Sequence, residues 1–340
     1  MAAQGVVQAL GIRVPRSEAE GTRRRLLELQ VLRIDLQVAR DGDDVVFPVA
    51  DSCGPTLPTA PFDFVSRPVR PEGYQDLLRW PPELLAQAPR AFDQVGDIIV
   101  VKIPPELAER TGELGEALRD FHDARAVFHD NGVKDPYRVR DLVLIAGEGE
   151  ALTQVGENGV RLWVDLSKAY FSPRLASERA RVANLVQAGE TVADLFGGVA
   201  PFGVQAAKRG ATVDSIDLNP DAIALAKLNV RDNGLVGHVR LWLGDARDVV
   251  KELQPADRVV MNLPHGAKHF LDVAARVAKP TAMVHYHEIL APAQAPMRAL
   301  KVLEEMGLCG WTGRLAGHRV VRNYSPQEAH IVFDLQGVAT

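Results

Sequence analysis

Cysteine is nearly missing from this chain: Cys53 and Cys309 are the two in 340 residues. Two thiols so far apart make neither a disulfide framework nor a Cys-based zinc site, which points to a reducing interior and no metal centre. Long apolar runs are missing too. None nears the roughly 18 residues that a membrane span needs, and the opening MAAQGVVQALGIRVPRSEAEG lacks a basic segment leading into an apolar core. A cytoplasmic location with no membrane partner is the expectation. Neither sign of charge dominates, with 39 Lys+Arg against 44 Asp+Glu and a net charge of −5. That balance excludes a general polyanion binder, so any nucleic-acid contact has to be a local patch. Internal repeats and low-complexity tracts are also absent. What remains is an ordinary globular composition, 46% apolar and 24% charged, in a chain long enough for two or three domains.

The pattern along the chain predicts a small αβ unit over 1–52, with Ser17 to Glu20 as a capping box, GTRRRLLELQ as an amphipathic helix and a hairpin turning at Asp-Gly. Residues 53–71 are proline-rich and aperiodic, which predicts an extended linker. An α+β middle domain is expected over 72–165. From 166 to 340 a helix is expected, followed by alternating strand and helix segments, the signature of a doubly wound parallel α/β sheet.

Within that last region DLFGGVAPFG, residues 194–203, reads as a strand entering a tight turn and then a helix. The G-x-G-x-x-G spacing of a dinucleotide turn is not there. The stretch instead resembles the first motif of class I S-adenosylmethionine-dependent methyltransferases, in which glycines admit the methionine part of the cofactor. Asp194, Phe196 and Gly197 are its candidate contacts. Asp217, with Leu218 beside it, ends the next strand, where a carboxylate can accept hydrogen bonds from ribose hydroxyls; the alternative is a helix N-cap. Asp245 and Ala246 follow a third strand, at the place where this class commonly recognises adenine. The fourth strand ends in Asn262-Leu263-Pro264, whose amide and fixed backbone can orient a planar nitrogenous substrate; the alternative is an asparagine in a turn.

With YFSPRLASER at 170–179, DLFGGVAPF, IDLNP and MNLP together, the chain resembles the archaeal and eukaryotic tRNA (guanine-37 N1)-methyltransferases. The likeness covers roughly residues 90–335, and the amino-terminal unit resembles the small first domain of the long archaeal form. The resemblance implies a class I (Rossmann-like) methyltransferase domain with an α+β middle domain and a small N-terminal αβ domain. It implies S-adenosyl-L-methionine as cofactor and tRNA with guanosine at position 37 as partner. Guanine N1 carries a proton, so its methylation needs a base and a donor for charge developing on O6. The resemblance assigns the first role to Glu178 and the second to Arg138, with Asn262 and Pro264 holding the guanine and shaping the transfer site. Tyr170, Arg174 and Arg179 fall at positions near the cofactor. Taken alone, Glu178 reads first as an exposed helical carboxylate paired with Arg174 or Arg181, and Arg138 reads equally as a sheet-edge surface arginine. Ala200 stands where the family's first motif usually has glycine.

Cations for tRNA phosphates are available at Arg23, Arg24, Arg25 and Arg33, in YRVR and in SPRLASERAR. His265, His285 and His287 read as packing or polar contacts. Three other readings stay open: a bifunctional relative that also methylates a tricyclic wyosine intermediate, the aminocarboxypropyl transferase of wyosine synthesis, and a non-catalytic RNA-binding protein. A monomer is expected.

Overall fold

The computed structural model describes residues 5–50, 58–67, 71–134 and 137–339, which divide into two compact units, 1–76 and 77–340. Cys53 lies outside the described residues. In the first unit β1 (Val6–Pro15), α1 (Ala19–Glu28), β2 (Ala39–Asp41), β3 (Asp44–Val49) and β4 (Ala60–Val65) make an antiparallel sheet in the order β2-β3-β1-β4. Alternation along the strands sends Ile12, Val14, Phe47 and Val49 against Leu26 of α1, and Val46 and Phe64 to the other face. The expected hairpin forms: Asp41 pairs with Asp44, and Gly42 adopts φ +62°, a conformation that a side chain would strain.

Two expectations for this unit are corrected. The Ser17–Glu20 capping box is not made. Pro15, with its fixed φ, turns β1 directly into a tight 3-10 turn at Arg16–Glu18, and α1 then starts at Ala19 with no side-chain cap. The 53–71 segment is not simply a linker either, because β4 lies inside it and pairs with β1 from Val6 to Gly11. Its Phe62 and Phe64 point inward while Pro61 sits on an edge strand, where a missing N–H costs no ladder bond. The rest of that segment includes residues 53–57 and 68–70, which lie outside the described residues.

In the second unit a short helix α2 (Pro82–Leu85) precedes the strands β5 (Phe92–Val95), β6 (Ile98–Val101), β7 (Ala126–Lys134) and β8 (Val139–Gly147), which form a sheet in that order. Helix α3 (Thr111–His122) buries Leu114 and Leu118 against it. The hairpin β9 (Leu152–Glu157) and β10 (Val160–Asp165) is a separate two-stranded sheet.

Helix α4 (Ala176–Leu185) leads into β11 (Thr191–Asp194), α5 (Pro201–Lys208), β12 (Thr212–Asp217), α6 (Pro220–Asp232), β13 (Val239–Leu243), α7 (Ala246–Val249), β14 (Ala256–Met261), α8 (Leu271–Val277), β15 (Ala278–Leu290), α9 (Ala295–Leu308), β16 (Gly313–Asn323) and β17 (Ala329–Gly337). The strands lie in the order β13-β12-β11-β14-β15-β17-β16, parallel as far as β15 and antiparallel in the final hairpin. Apolar residues cover both faces, α5 and α6 on one and α8 and α9 on the other, as a doubly wound sheet requires. The β9–β10 hairpin is fastened to α6 by side-chain amides: Asn229 pairs with both backbone groups of Trp163, and Asn233 with those of Arg161. Chain order reverses between β11 and β14, so the crevice at their carboxyl ends is the place for a ligand.

Candidate active site

A cavity opens at that switch point, walled by the segments that follow β11, β12, β13 and β14. Gly197 is built into its floor. Its N–H donates to the Ile216 carbonyl at 2.7 Å, and a Cβ there would collide with Ser215 Oγ, so only glycine lets the loop lie this close to β12. Asp217 fixes both neighbouring loops, accepting from the backbone N–H of Gly198 at 2.6 Å and of Asn219 at 2.8 Å. It is not the helix cap, since Asn219 caps α6 through the Asp221 N–H. Burial raises Asp217 above the ordinary carboxylate range against the pull of those N–H groups. Asp245 does cap its helix, accepting from the Arg247 N–H, and lines the cavity as well.

Asn262, Leu263 and Pro264 form the next wall. The Leu263 carbonyl receives the N–H groups of Gly266 and Ala267, and Pro264 receives that of Ile289, which ties the turn to β15. Asn262 Oδ1 is buried and has no hydrogen-bond partner. An unsatisfied buried acceptor beside a cavity is a place for a donor on a ligand. Arg138 lines the same cavity, at the turn before β8, in the left-handed region with φ +58° and with no carboxylate partner among the described residues. Its charge, after burial, lowers the pKa of His265, which also lines the cavity and meets Tyr324 edge to face with centroids 5.4 Å apart.

Tyr170, Phe196, Leu218, Ala246 and Arg179 line the cavity. The Arg179 guanidinium is buried, paired to both oxygens of Glu157 at 2.5 Å, bonded to the Ser172 carbonyl and stacked 4.8 Å from the Phe171 ring. It braces the YFSPRL loop against β9.

Three candidates do not reach the cavity wall. Arg174 turns away because its Nε donates to Asp93 on β5 at 2.7 Å, where Arg140 also binds. Asp194 lies one layer beneath the glycines, fully buried, and neither carboxylate oxygen has a hydrogen-bond partner. Burial and the Asp217 charge push its pKa up to about 7, opposed by the Phe196 backbone N–H, which approaches the carboxylate without reaching hydrogen-bond geometry. Glu178 is fully buried behind the wall, with Arg181 donating to its two oxygens at 3.0 and 2.7 Å, so the helical ion pair is what forms. His285 and His287 are also buried there.

Arg322, Tyr324 and Phe270 complete the wall, and none was singled out from the sequence. Arg322 Nε is buried without a partner. The RNYSP stretch ending β16 was the available signal, but only the final hairpin brings it back to the cavity. Among the described residues no cluster of His, Cys, Asp and Glu could hold a metal, and no helix is long and apolar enough to cross a membrane. The glycine floor, two carboxylates at strand ends and an apolar face of Phe196, Ala246 and Phe270 fit a nucleoside-bearing group such as S-adenosylmethionine.

Comparison with known proteins agrees with this geometry. A model of the TRM5/TYW2 methyltransferase domain matches residues 153–308, one of the TYW2 N-terminal domain 74–150, and one of the tRNA methyltransferase 5 N-terminal domain 11–56. The tRNA (guanine(37)-N(1))-methyltransferase Trm5b of Pyrococcus abyssi is 36% identical over 96% of this chain and 98% of its own length. The chain belongs to the TRM5/TYW2 methyltransferase family. Another relative, the tRNA 4-demethylwyosine(37)-methyltransferase Taw21 of Saccharolobus solfataricus, is 31% identical over 73% of this chain and 94% of its own. Among solved structures, the complex of aTrm5 and tRNALeu superposes with a TM-score of 0.85 at 30% identity, covering 97% of this chain and all of that one. As a TRM5/TYW2 family member the chain is an S-adenosylmethionine-dependent enzyme of the methyltransferase fold.

Proposed function

We propose that this TRM5/TYW2 family member methylates N1 of guanosine 37 in tRNA. The observation that carries the reading is one cavity lined by a glycine-floored cradle, by an unpaired arginine, Arg138, and by Asn262, whose amide oxygen is unsatisfied. A guanine edge offers the complement: O6 for the guanidinium, and N1–H and N2–H for the amide oxygen. The cofactor, when bound, supplies an electrophilic methyl group. Gly197, Asp217, Asp245 and Ala246 would hold it, with Tyr170, Phe196 and Leu218 beside them on the cavity wall and Arg179 bracing the YFSPRL loop. Arg138 stabilises charge that gathers on O6 as N1 loses its proton, and Pro264 fixes the turn that presents Asn262. Glu178 is the acceptor for that proton, held ready by Arg181 behind the wall. Asp194 supports the cradle from below, and Arg174 fastens the loop to the middle domain through Asp93.

In this reading the first unit, with its sheet of β1 to β4, contacts tRNA. The 72–165 domain supplies Arg138, the 166–340 domain carries the cofactor, and the working unit is a cytoplasmic monomer. A transcript with guanosine at position 37 should yield N1-methylguanosine from labelled S-adenosylmethionine, and the adenosine-37 transcript none. Label on neither would overturn the reading. Sedimentation showing a stable dimer on tRNA would overturn the monomer. The Taw21 relationship supports a second substrate, a wyosine-type precursor at the same position, which nucleoside analysis of precursor tRNA would reveal.

A further inference from the structure

The proton removed from guanine N1 has to leave a cavity whose walls do not include Glu178. Directly behind the wall two buried imidazoles touch: His287 Nδ1 lies 3.0 Å from His330 Nε2. The outer nitrogens of the pair, His287 Nε2 and His330 Nδ1, are both buried and have no hydrogen-bond partner. One outer end faces Glu178, with His287 Nε2 4.0 Å from Oε1. The other end faces the cavity wall, since His330 stands opposite Arg322 in the β16–β17 register and feels the charges of Arg322 and His265. Arg322 and His265 line the cavity, and Arg322 Nε is itself an unpaired buried donor.

Electrostatics sets the direction of this chain. The Glu178 carboxylate favours an N–H on the His287 nitrogen that faces it, and the Arg322 cation favours a lone pair on His330 Nδ1. Both preferences are met by one arrangement, in which His330 Nε2–H donates to His287 Nδ1. The N–H bonds then all point from the cavity toward Glu178. Burial keeps both rings neutral and available, lowering the pKa of each; His330, His285 and Arg181 add to the effect at His287 with Asp334 opposing it, and Arg322 and His265 add to it at His330. From β16, Arg319 also approaches Glu178, at 3.9 Å.

We infer that His330 and His287 form a proton relay that links the substrate cavity to Glu178. The inference rests on the proposed methylation of guanine N1. As the N1–methyl bond forms and the sulfonium–methyl bond breaks, the N1 proton passes through a water admitted at the Arg322 wall to His330 Nδ1, which is closed to solvent before substrate binds. His330 gives its Nε2 proton to His287 Nδ1, and His287 gives its Nε2 proton to Glu178, which becomes a carboxylic acid. One proton enters, one is held, and both rings remain neutral. The 4.0 Å gap to Glu178 must close to hydrogen-bond length, a tightening common when substrate binds. His330 and His287 are positioning residues in this scheme, acting through solvent and Glu178.

The test is single-turnover methyl transfer to the guanosine-37 transcript at saturating S-adenosylmethionine, across pH and in heavy water, for His287→Gln, His330→Gln and the double variant. Glutamine keeps a hydrogen-bonding amide but does not relay protons. Each single variant should slow transfer by roughly 100-fold, and the double variant no further, because the two links lie in series. The pH profile should shift and the solvent isotope effect shrink, with cofactor binding and melting temperature kept. Wild-type rates in both single variants, or a slowing that multiplies in the double variant with the pH profile unmoved, would overturn the relay. A wild-type enzyme that makes no N1-methylguanosine would instead overturn the underlying reading, and the relay with it.

Discussion

The cofactor cradle and the ionic network behind α4 are built on neighbouring strands and both bury carboxylates, yet they treat charge in opposite ways. In the network every charge is closed. Arg181 bonds both oxygens of Glu178 and both of Asp334, at 2.6 and 3.0 Å for the latter. Asp334 also accepts from His285 Nδ1 at 2.5 Å, while Arg258 donates to His285 Nε2 at 2.8 Å and pairs with Glu190. The two bonds on His285 fix it as a neutral ring with its proton on Nδ1. The cradle is left open: Asp194 and the Asn262 oxygen have no partners, and Ala200 and Arg138 sit in left-handed conformations. Unsatisfied groups and strained backbone collect where a ligand arrives, and the network beside them supplies the rigidity that keeps them in place.

Removing a charge from the closed region should have the largest effect on stability. Arg181→Met leaves Glu178 and Asp334 without their shared cation and should cost about 3–5 kcal/mol in denaturant unfolding. A loss below about 1 kcal/mol would show that the network is not closed by Arg181. In the open region the effect should fall on turnover instead. Arg138→Ala should slow single-turnover methylation by about 10²–10³-fold with unfolding unchanged, since no ion pair is lost. Equal rates would remove Arg138 from the reaction.

The two regions should also answer pH in opposite directions. Asp194 is raised to about 7 from 3.8, so between those values the native state holds a proton that the unfolded chain has released. Its contribution is present in acid and lost as the pH rises through 7. Asp334 is held well below the ordinary range, chiefly by His285 and Arg181 against the effect of burial, so its contribution is lost as the pH falls below about 4. Asp194→Asn should flatten the alkaline limb, by about 1.4 kcal/mol across the last unit below pH 7, and leave the acid limb alone. Superimposable stability curves for the variant and the parent would show that the cradle's charge is compensated after all. The smallest effect is expected at Ala200, which caps α5 with φ +61°. Ala200→Gly relieves left-handed strain but gives up a buried methyl, so stability should move by less than about 1 kcal/mol. A larger gain would mean that the strain at this position dominates the open region.

The open region was the legible one. Glycines and strand-end carboxylates are local signals, and Gly197, Asp217, Asp245 and Asn262 could be placed because a parallel sheet delivers consecutive strand ends to one crevice. The closed region depends on pairings between α4, β15 and β17 that are distant in sequence. Glu178 is four residues from Arg174 and three from Arg181, and spacing alone does not say which arginine it meets; Asp93 decides the matter by taking Arg174. Arg322 and His330 escaped notice for the same reason, since a strand register brings them together. In the first unit Pro61 hid β4, because proline reads as linker unless the strand is known to be an edge.

The order β15-β17-β16 has a consequence for synthesis. β17 pairs with both β15 and β16, so β16 has no sheet to join until the strand made after it is available. A nascent chain can assemble the parallel strands and the glycine floor early. It lacks the Arg322 and Tyr324 wall until residues 329–337 have emerged and docked. The wall of the cavity that carries Arg322 and Tyr324 is therefore the part of the sheet that depends on the latest-made strand.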